Sequence, residues 1–348
     1  MFIPFFKIHQ LNIFNIRGSL TLLVISVVIC SCNNMEVDGP KDIRTGLTGG
    51  EQKGSWFTRA PLPTARQEMP LTLFNGKIYV PGGFNEEASG SSLVEVFDPS
   101  SNKWSSIPNL PTPLNHLTMV GLNDKLYVIG GYLGSSFIAH NKVYEYNFQT
   151  EDWNLKSPMF TSRGAHVSVE YDGKIYAIGG ANSSGVLSVN EVYDPTSDSW
   201  TILEPMPTKQ DHLAAAVLDS LIYVVGGRNN QFVNQRSLHA YSPASDSWHT
   251  LADMPTARGG LAAAAMNGKL YVFGGEFFSP GSSGVFKENE EYDPVTNTWR
   301  SVTSLRTPRH GMSAVTVADT IFVIGGGPVA GFGVTDVNQG FTFAPKEN

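Results

Sequence analysis

Between residues 54 and 345 the chain is a succession of short apolar runs separated by turn-forming residues. Runs such as Lys125-Leu126-Tyr127-Val128-Ile129, Lys174-Ile175-Tyr176-Ala177-Ile178 and Lys269-Leu270-Tyr271-Val272-Phe273 are aliphatic and aromatic, and each stops at a pair of glycines. Runs of that length and composition, bounded by glycine, predict strands. Runs of small residues precede them, as in Leu213 to Val217 and Leu261 to Ala265. Asn75-Gly76, Asp172-Gly173 and Asn267-Gly268 lie between two such runs. They predict two-residue hairpins, because both central positions of a type I′ turn need positive φ. Further on, an aromatic run passes through Asp-Pro into a tryptophan: Val192-Tyr193-Asp194-Pro195 leads to Trp200, and Glu291-Tyr292-Asp293-Pro294 to Trp299. Proline fixes the first dihedral of that turn. Each unit therefore holds a small-residue run, an apolar run, and an aromatic run leading to a tryptophan.

The unit occurs six times. Tryptophans stand at 56, 104, 153, 200, 248 and 299, and glycine pairs begin at 82, 130, 179, 226, 274 and 325. Every tryptophan precedes its glycine pair by 26 residues, whereas the distance from a pair to the next tryptophan varies from 21 to 25. Length variation is thus confined to the loop between second and third strands, and in repeat folds variable loops on one face mark the binding face. The small side chains of the first strand suit the innermost position, where units converge on an axis. After the last glycine pair, Gly340 to Pro345 aligns with Val94 to Pro99 and no seventh tryptophan follows, while Trp56 has no strands of its own before it. The strand around Trp56 is expected to complete the sixth unit, because the alternative leaves an open sheet edge.

A glycine pair after a hydrophobic strand, then a spaced Tyr and Trp, in units of about fifty residues, resembles the kelch family over residues 54–345. The resemblance implies an all-β, six-bladed kelch β-propeller occupying residues 54–348, each blade a four-stranded sheet around a central channel. Kelch-type copper oxidases resembling galactose oxidase build a crosslinked Tyr–Cys site. Residues 33–348 contain no cysteine and cannot build one.

The N-terminal end has a different character. Residues 1–19 carry Lys7 and Arg17 and no acid, and Leu20 to Ile29 is a ten-residue apolar run ending at Cys30-Ser31-Cys32. Ten helical residues span about 15 Å, half a hydrocarbon core, so the pattern is that of a secretory signal rather than a membrane span. Ile29-Cys30-Ser31-Cys32 resembles a bacterial lipobox. The resemblance implies a signal peptide over 1–32, lipidation of Cys32, and attachment by that lipid alone; Asn33 in place of Asp favours the outer membrane. Residues 33–53 are polar and glycine-rich and read as a flexible tether.

Composition excludes some classes of function. The net charge of −7 and pI of about 5.6 argue against nucleic acid. With both cysteines in the leader, the propeller has no disulfide, thiolate metal site or cysteine nucleophile. There is no Gly-x-Ser-x-Gly, His-x-x-x-His or Glu-x-x-His. Gly325-x-Gly327-x-x-Ala330 imitates a dinucleotide fingerprint but lacks the helix that fingerprint needs. No metal and no cofactor are expected.

Polar residues aimed at the loop face remain. The position fourteen before each glycine pair holds Glu68, His116, Ala165, His212, Gly260 and Gly311, and the position after each pair holds Phe84, Tyr132, Ala181, Arg228, Glu276 and Gly327. Both sets are expected on one face, near the channel mouth. In kelch adaptors, the resemblance implies, such slots contact a bound peptide. The ligand-binding candidates are Arg228, Asn229, Glu276, His116, His212, Tyr132 and Phe84, with Phe84, Tyr132, Phe277 and Phe278 taken as exposed aromatics. His116 and His212 are either turn-closing residues or a proton-transfer pair. Arg66, Arg163, Arg258 and Arg309 recur sixteen before the pairs, with Leu114 and Gln210 in the other two slots. They are expected to be structural, bonding loop carbonyls between blades.

The leading expectation is a monomeric, extracytoplasmic, non-catalytic platform that recognises a protein or glycan. The alternative is a sugar mutarotase or epimerase resembling N-acetylneuraminate epimerase, which needs only an acid and a base across the anomeric carbon. Arg, Glu and His gathered at one point of the channel favour the enzyme; their dispersal around the rim favours binding.

Overall fold

The computed structural model describes residues 53–279 and 281–343. The leader with Cys32, and the tether up to residue 52, lie outside the described residues. Among the described residues there are six four-stranded antiparallel sheets, one per repeat, each a blade of a propeller. Blade 4 is representative: Ala214–Leu218 is innermost, followed by Leu221–Val225, Leu238–Ser242 and Ser247–Thr250. Blade 6 takes three strands from the C-terminal end, Ser313–Val317, Thr320–Ile324 and Asn338–Thr342, and its outermost from Ser55–Thr58, with Trp56 opposite Phe341. The ring is closed by the N-terminal strand, as the repeat count requires.

Local chemistry explains the strands. Asn75, Asp172 and Asn267 have φ of 47°, 52° and 51°, and the glycine after each is also positive, so these hairpins are of the expected primed type. The glycine pairs follow one rule in all six blades: the first glycine has φ between 54° and 67°, the second between 90° and 107°. A Cβ on Gly274 would lie 2.4 Å from the Arg309 carbonyl of the next blade, so only glycine allows this approach.

The core is divided into wedges between blades. Ala214, Ala216, Tyr223 and Val225 of blade 4 pack with Leu261, Ala263, Leu270 and Val272 of blade 5, and five similar clusters fill the other gaps. Each tryptophan lies tilted on the aromatic residue opposite it, as Tyr241 and Trp248 do at 4.9 Å between centroids. Its indole N–H reaches back to the preceding blade. Trp56, Trp104, Trp153, Trp200, Trp248 and Trp299 donate to the carbonyls of Thr303, Ala60, Pro108, Ser157, Glu204 and Ala252, at 2.8 to 3.0 Å. One residue type thus supplies buried apolar area and a directed bond at all six interfaces.

The recurring arginines are structural, but not quite as expected. The side chains of Arg66, Arg163 and Arg258 hold the carbonyl of the first glycine in their own blade, and each pairs with a carboxylate on its third strand: Glu95, Glu191 and Glu290. The bond between blades comes from the arginine backbone instead. The second glycine of each pair donates its N–H to the carbonyl of the slot residue in the following blade, for example Gly227 to Arg258 and Gly275 to Arg309. The carboxylate at that third-strand position is absent wherever the arginine is missing, and in blade 6 it is absent although the arginine stays. Arg309 faces Gln339, Gln210 bonds Ser237 in the blade that carries His239, and Leu114 shares an apolar cluster with Tyr144.

A buried ion pair is costly when one partner is removed, by about 3–5 kcal/mol, because a charge is left without its counterpart. Arg163→Leu is expected to lower unfolding free energy by about that amount in urea titration. Adding Glu191→Gln removes the stranded charge and should recover part of the loss. A double variant no more stable than the single one contradicts this reading.

Candidate functional site

The six positions fourteen before the glycine pairs meet at one end of the channel. All six have left-handed backbones: φ is 55° at Glu68, 50° at His116, 52° at Ala165, 49° at His212, 63° at Gly260 and 58° at Gly311. Each N–H donates to the carbonyl of its counterpart in the preceding blade. The bonds run from His116 to Glu68, Ala165 to His116, His212 to Ala165, Gly260 to His212, Gly311 to Gly260, and Glu68 to Gly311, at 2.7 to 3.0 Å. The circle is closed.

A second pairing brings the other set of candidates to the same place. The residue after each glycine pair forms a bridge with the residue just before the ring position: Gln67 with Phe84, Asn115 with Tyr132, Gly164 with Ala181, Asp211 with Arg228, Gly259 with Glu276 and His310 with Gly327. Arg228 therefore lies beside His212, although sixteen residues separate them in sequence.

Above the ring is a cavity of about 650 Å³, lined by Glu68, His116, His212, Arg228 and Glu276 among others. Its polar floor is one connected cluster. Arg228 Nη1 donates to Glu276 Oε1 at 3.0 Å, and Nη2 lies 2.6 Å from His212 Nδ1. His212 Nε2 is 3.1 Å from His116 Nε2, and His116 Nε2 is 3.3 Å from Glu68 Oε2. His310 Nε2 closes the loop between Glu68 and Glu276, at 3.9 and 3.4 Å. Asp211 Oδ1 accepts from Arg228 Nε at 3.4 Å and sits 3.2 Å from His212 Nδ1. Gly311 accommodates this arrangement: a Cβ there would lie 2.4 Å from Glu68 Oε1.

The structure brings together five of the seven candidates around the charged cluster: Arg228, Glu276, His116, His212 and, as its buried aromatic neighbour, Tyr132. Phe84 also lines the cavity. Two expectations are corrected. Phe84 and Tyr132 are not exposed, at 7% and 5% accessibility, because their rings pack edge-on against His116 and Phe137. Asn229 does not join the lining: its Oδ1 accepts from the N–H groups of Gln231 and Val233 and shapes the loop. Phe277 is half-buried against Phe286, and Phe278 is exposed. The most exposed rim aromatics are Phe137 and Phe232, both at 67%. Sequence reading passed over Asp211 and His310, although each occupies the slot preceding a ring position.

Burial dominates the local electrostatics. It holds His116 well below the ordinary imidazole value, with His212, Arg228 and His310 adding repulsion, so this ring is neutral. Burial pushes the Tyr132 phenol up. At Asp211 burial works toward a raised value but is outweighed by His212 and Arg228, which hold the carboxyl below its usual range.

Residues 51–279 match the family model described as the Attractin/LZTR1 beta-propeller, and residues 257–306 match the Kelch motif. The chain belongs to the kelch-type β-propellers. Kelch-like protein 26 of Danio rerio is 32% identical over 148 residues, which are 41% of this chain and 24% of that protein. Kelch-like protein terF of Aspergillus terreus is 29% identical over 315 residues, or 84% and 56% of the two chains. This kelch propeller thus spans about a quarter of the length of the first curated relatives it matches. The solved structure of YjhT shares the fold, with a TM-score of 0.70 at 18% identity, over 80% of this chain and 96% of that one.

Acid is expected to destabilise this kelch propeller through its buried histidines. His116 and His166 are both held well below their usual value by burial, and His140 is pushed down to about 4. Below about pH 6.5 the unfolded chain binds protons that the folded chain refuses, so stability falls as pH drops, by up to about 1.4 kcal/mol per unit for each histidine. Urea unfolding at pH 7 and pH 5 checks this, and His116→Gln should reduce the slope by about one proton. A slope unchanged by that substitution contradicts a neutral His116.

Proposed function

We propose that this propeller takes a sugar into the axial cavity and catalyses opening and reclosure of its ring, as a mutarotase or epimerase working outside the cytoplasm and held at a membrane by lipid on Cys32. The observation that carries the proposal is the convergence of Arg228, Glu276, Glu68, His116 and His212 on one cavity floor rather than around the rim. Ring opening of a hemiacetal needs a base to take the anomeric hydroxyl proton and an acid to protonate the ring oxygen. Carboxylates on either side of His310 and a pair of facing imidazoles place both kinds of group within one sugar-sized space. Arg228 gives the floor a cation suited to a sugar acid. The walls, Phe84, Tyr132, Phe137, Phe232, Phe278 and Phe332, offer ring faces and edges to the C–H face of a sugar.

A second reading rests on a different feature. Phe137, Ile138, Phe232, Val233 and Val329 are exposed on the variable loops around the mouth. Apolar residues gathered there support a docked protein or glycan chain, the role kelch adaptors suggest.

The test is NMR exchange spectroscopy of sugar anomers, sialic acids included, with the full-length protein. Interconversion is expected to accelerate, with a loss of about 100-fold or more on Glu276→Gln. Tight glycan binding without acceleration would transfer the function to the second reading. Absence of both binding and acceleration overturns the sugar assignment.

A further inference from the structure

We infer that Glu68, His116 and His212 form a binding site for a zinc-class divalent cation at the mouth of the channel. The donor atoms come from blades 1, 2 and 4, and all lie within 4.8 Å of one another. Two separations are those of a metal shell. Ligands about 2.0–2.1 Å from a tetrahedral zinc stand about 3.3 Å apart; Glu68 Oε2 to His116 Nε2 is 3.3 Å, and His116 Nε2 to His212 Nε2 is 3.1 Å.

Hydrogen-bond accounting independently presents His116 Nε2 as a lone-pair donor to the cluster. The Asn115 amide is oriented by its Nδ2, which donates to the Gly134 carbonyl at 2.7 Å, so Asn115 Oδ1 is the atom 2.6 Å from His116 Nδ1. An oxygen acceptor at that distance requires the proton on Nδ1. In the neutral ring Nε2 then carries a lone pair. That lone pair faces the Glu68 carboxylate oxygen and His212 Nε2, which carries the His212 proton because Arg228 Nη2 donates to His212 Nδ1. A metal ion takes the place of that shared proton, held by both imidazoles and the carboxylate.

The outer shell is also in place. Asn115 Oδ1 stands behind His116, and Asp211 Oδ1 stands 3.2 Å behind His212 Nδ1. Asn115 Oδ1 fixes the His116 tautomer that leaves Nε2 free for metal, and Asp211 Oδ1 is the acceptor that the same tautomer of His212 needs once the ion is bound. Coordination by His212 Nε2 puts the proton on Nδ1 toward Asp211, and Arg228 Nη2, now 2.6 Å from Nδ1, moves toward its carboxylate partners Asp211 and Glu276. The other three ring positions are Ala165, Gly260 and Gly311, which leave the axis open. Glu68, His116 and His212 all line the cavity, so the fourth coordination position faces it. Two imidazoles and one carboxylate with an open position suit zinc holding a water or a ligand oxygen. The sequence shows no local ligand spacing because the three donors come from three repeats. The inference does not depend on the sugar reading: the ion needs only these side chains.

The test uses the full chain carrying Cys30→Ser and Cys32→Ser, so that leader thiolates add nothing, stripped with chelator and folded by circular dichroism. Zinc is titrated in competition with a chromophoric chelator, and cobalt is followed by its visible d–d bands. One ion per chain is expected, with the intense bands of tetrahedral cobalt. His116→Gln and His212→Gln should each weaken zinc by more than about 100-fold, Asp211→Asn by about 10–100-fold, and His249→Gln, on the exposed surface, not at all. Absence of stoichiometric zinc binding by the folded parent chain overturns the inference, as does binding that survives both ligand substitutions.

Discussion

Six backbone hydrogen bonds closed into a circle at the channel mouth are the constraint on which the rest of the molecule depends. Each blade contributes one residue in the left-handed region, and its N–H and carbonyl are used by the two neighbouring blades. For a side-chain-bearing residue this conformation costs on the order of 1 kcal/mol or more, and it persists because the surrounding structure determines it from both sides. Glycines at 260 and 311 avoid that cost. The circle fixes six Cα positions around one axis regardless of the residue in each blade.

Around it, two further rings hold the blades at constant spacing. Glycine-pair amides bond the next blade's slot carbonyl near the axis, and tryptophan indoles bond the previous blade's carbonyl at the periphery. With inner and outer contacts both specified, the distance from tryptophan to glycine pair cannot vary, whereas the loop that leaves the second glycine takes part in neither ring and can. Structural regularity is what permits chemical irregularity at the mouth: Glu, His, Ala, His, Gly and Gly share one backbone but not one role.

Much of this was legible in the sequence. The six-fold count, the strand order, the closure by Trp56 and the shared face of the two residue sets follow from turn chemistry and spacing, because those features repeat. The left-handed ring did not show, since Glu68, His116, Ala165 and His212 carry no signal for positive φ. Nor did the burial of Phe84 and Tyr132, which depends on loop residues such as Phe137 folding back over them. The arginine–carboxylate partners were visible only in part: Arg66, Arg163 and Arg258 each have an acid 28 to 32 residues later, but Arg309 has none, and Glu145 stands 31 residues after Leu114, where the slot has no arginine. The charged cluster was half-legible. Arg228, Glu276 and the two histidines stood in marked slots, but Asp211 and His310 became visible only when the bridge between the two slots was seen.

The site stands on the most constrained part of the backbone rather than on the loops around the mouth. Amide hydrogen exchange of the ring residues, Glu68, His116, Ala165, His212, Gly260 and Gly311, tests that most directly. The ring amides are expected to exchange only through global unfolding, together with the innermost strands and far more slowly than the loops around the mouth. Exchange of those six amides at loop-like rates, with the strands still protected, would contradict the ring as the element that holds the site.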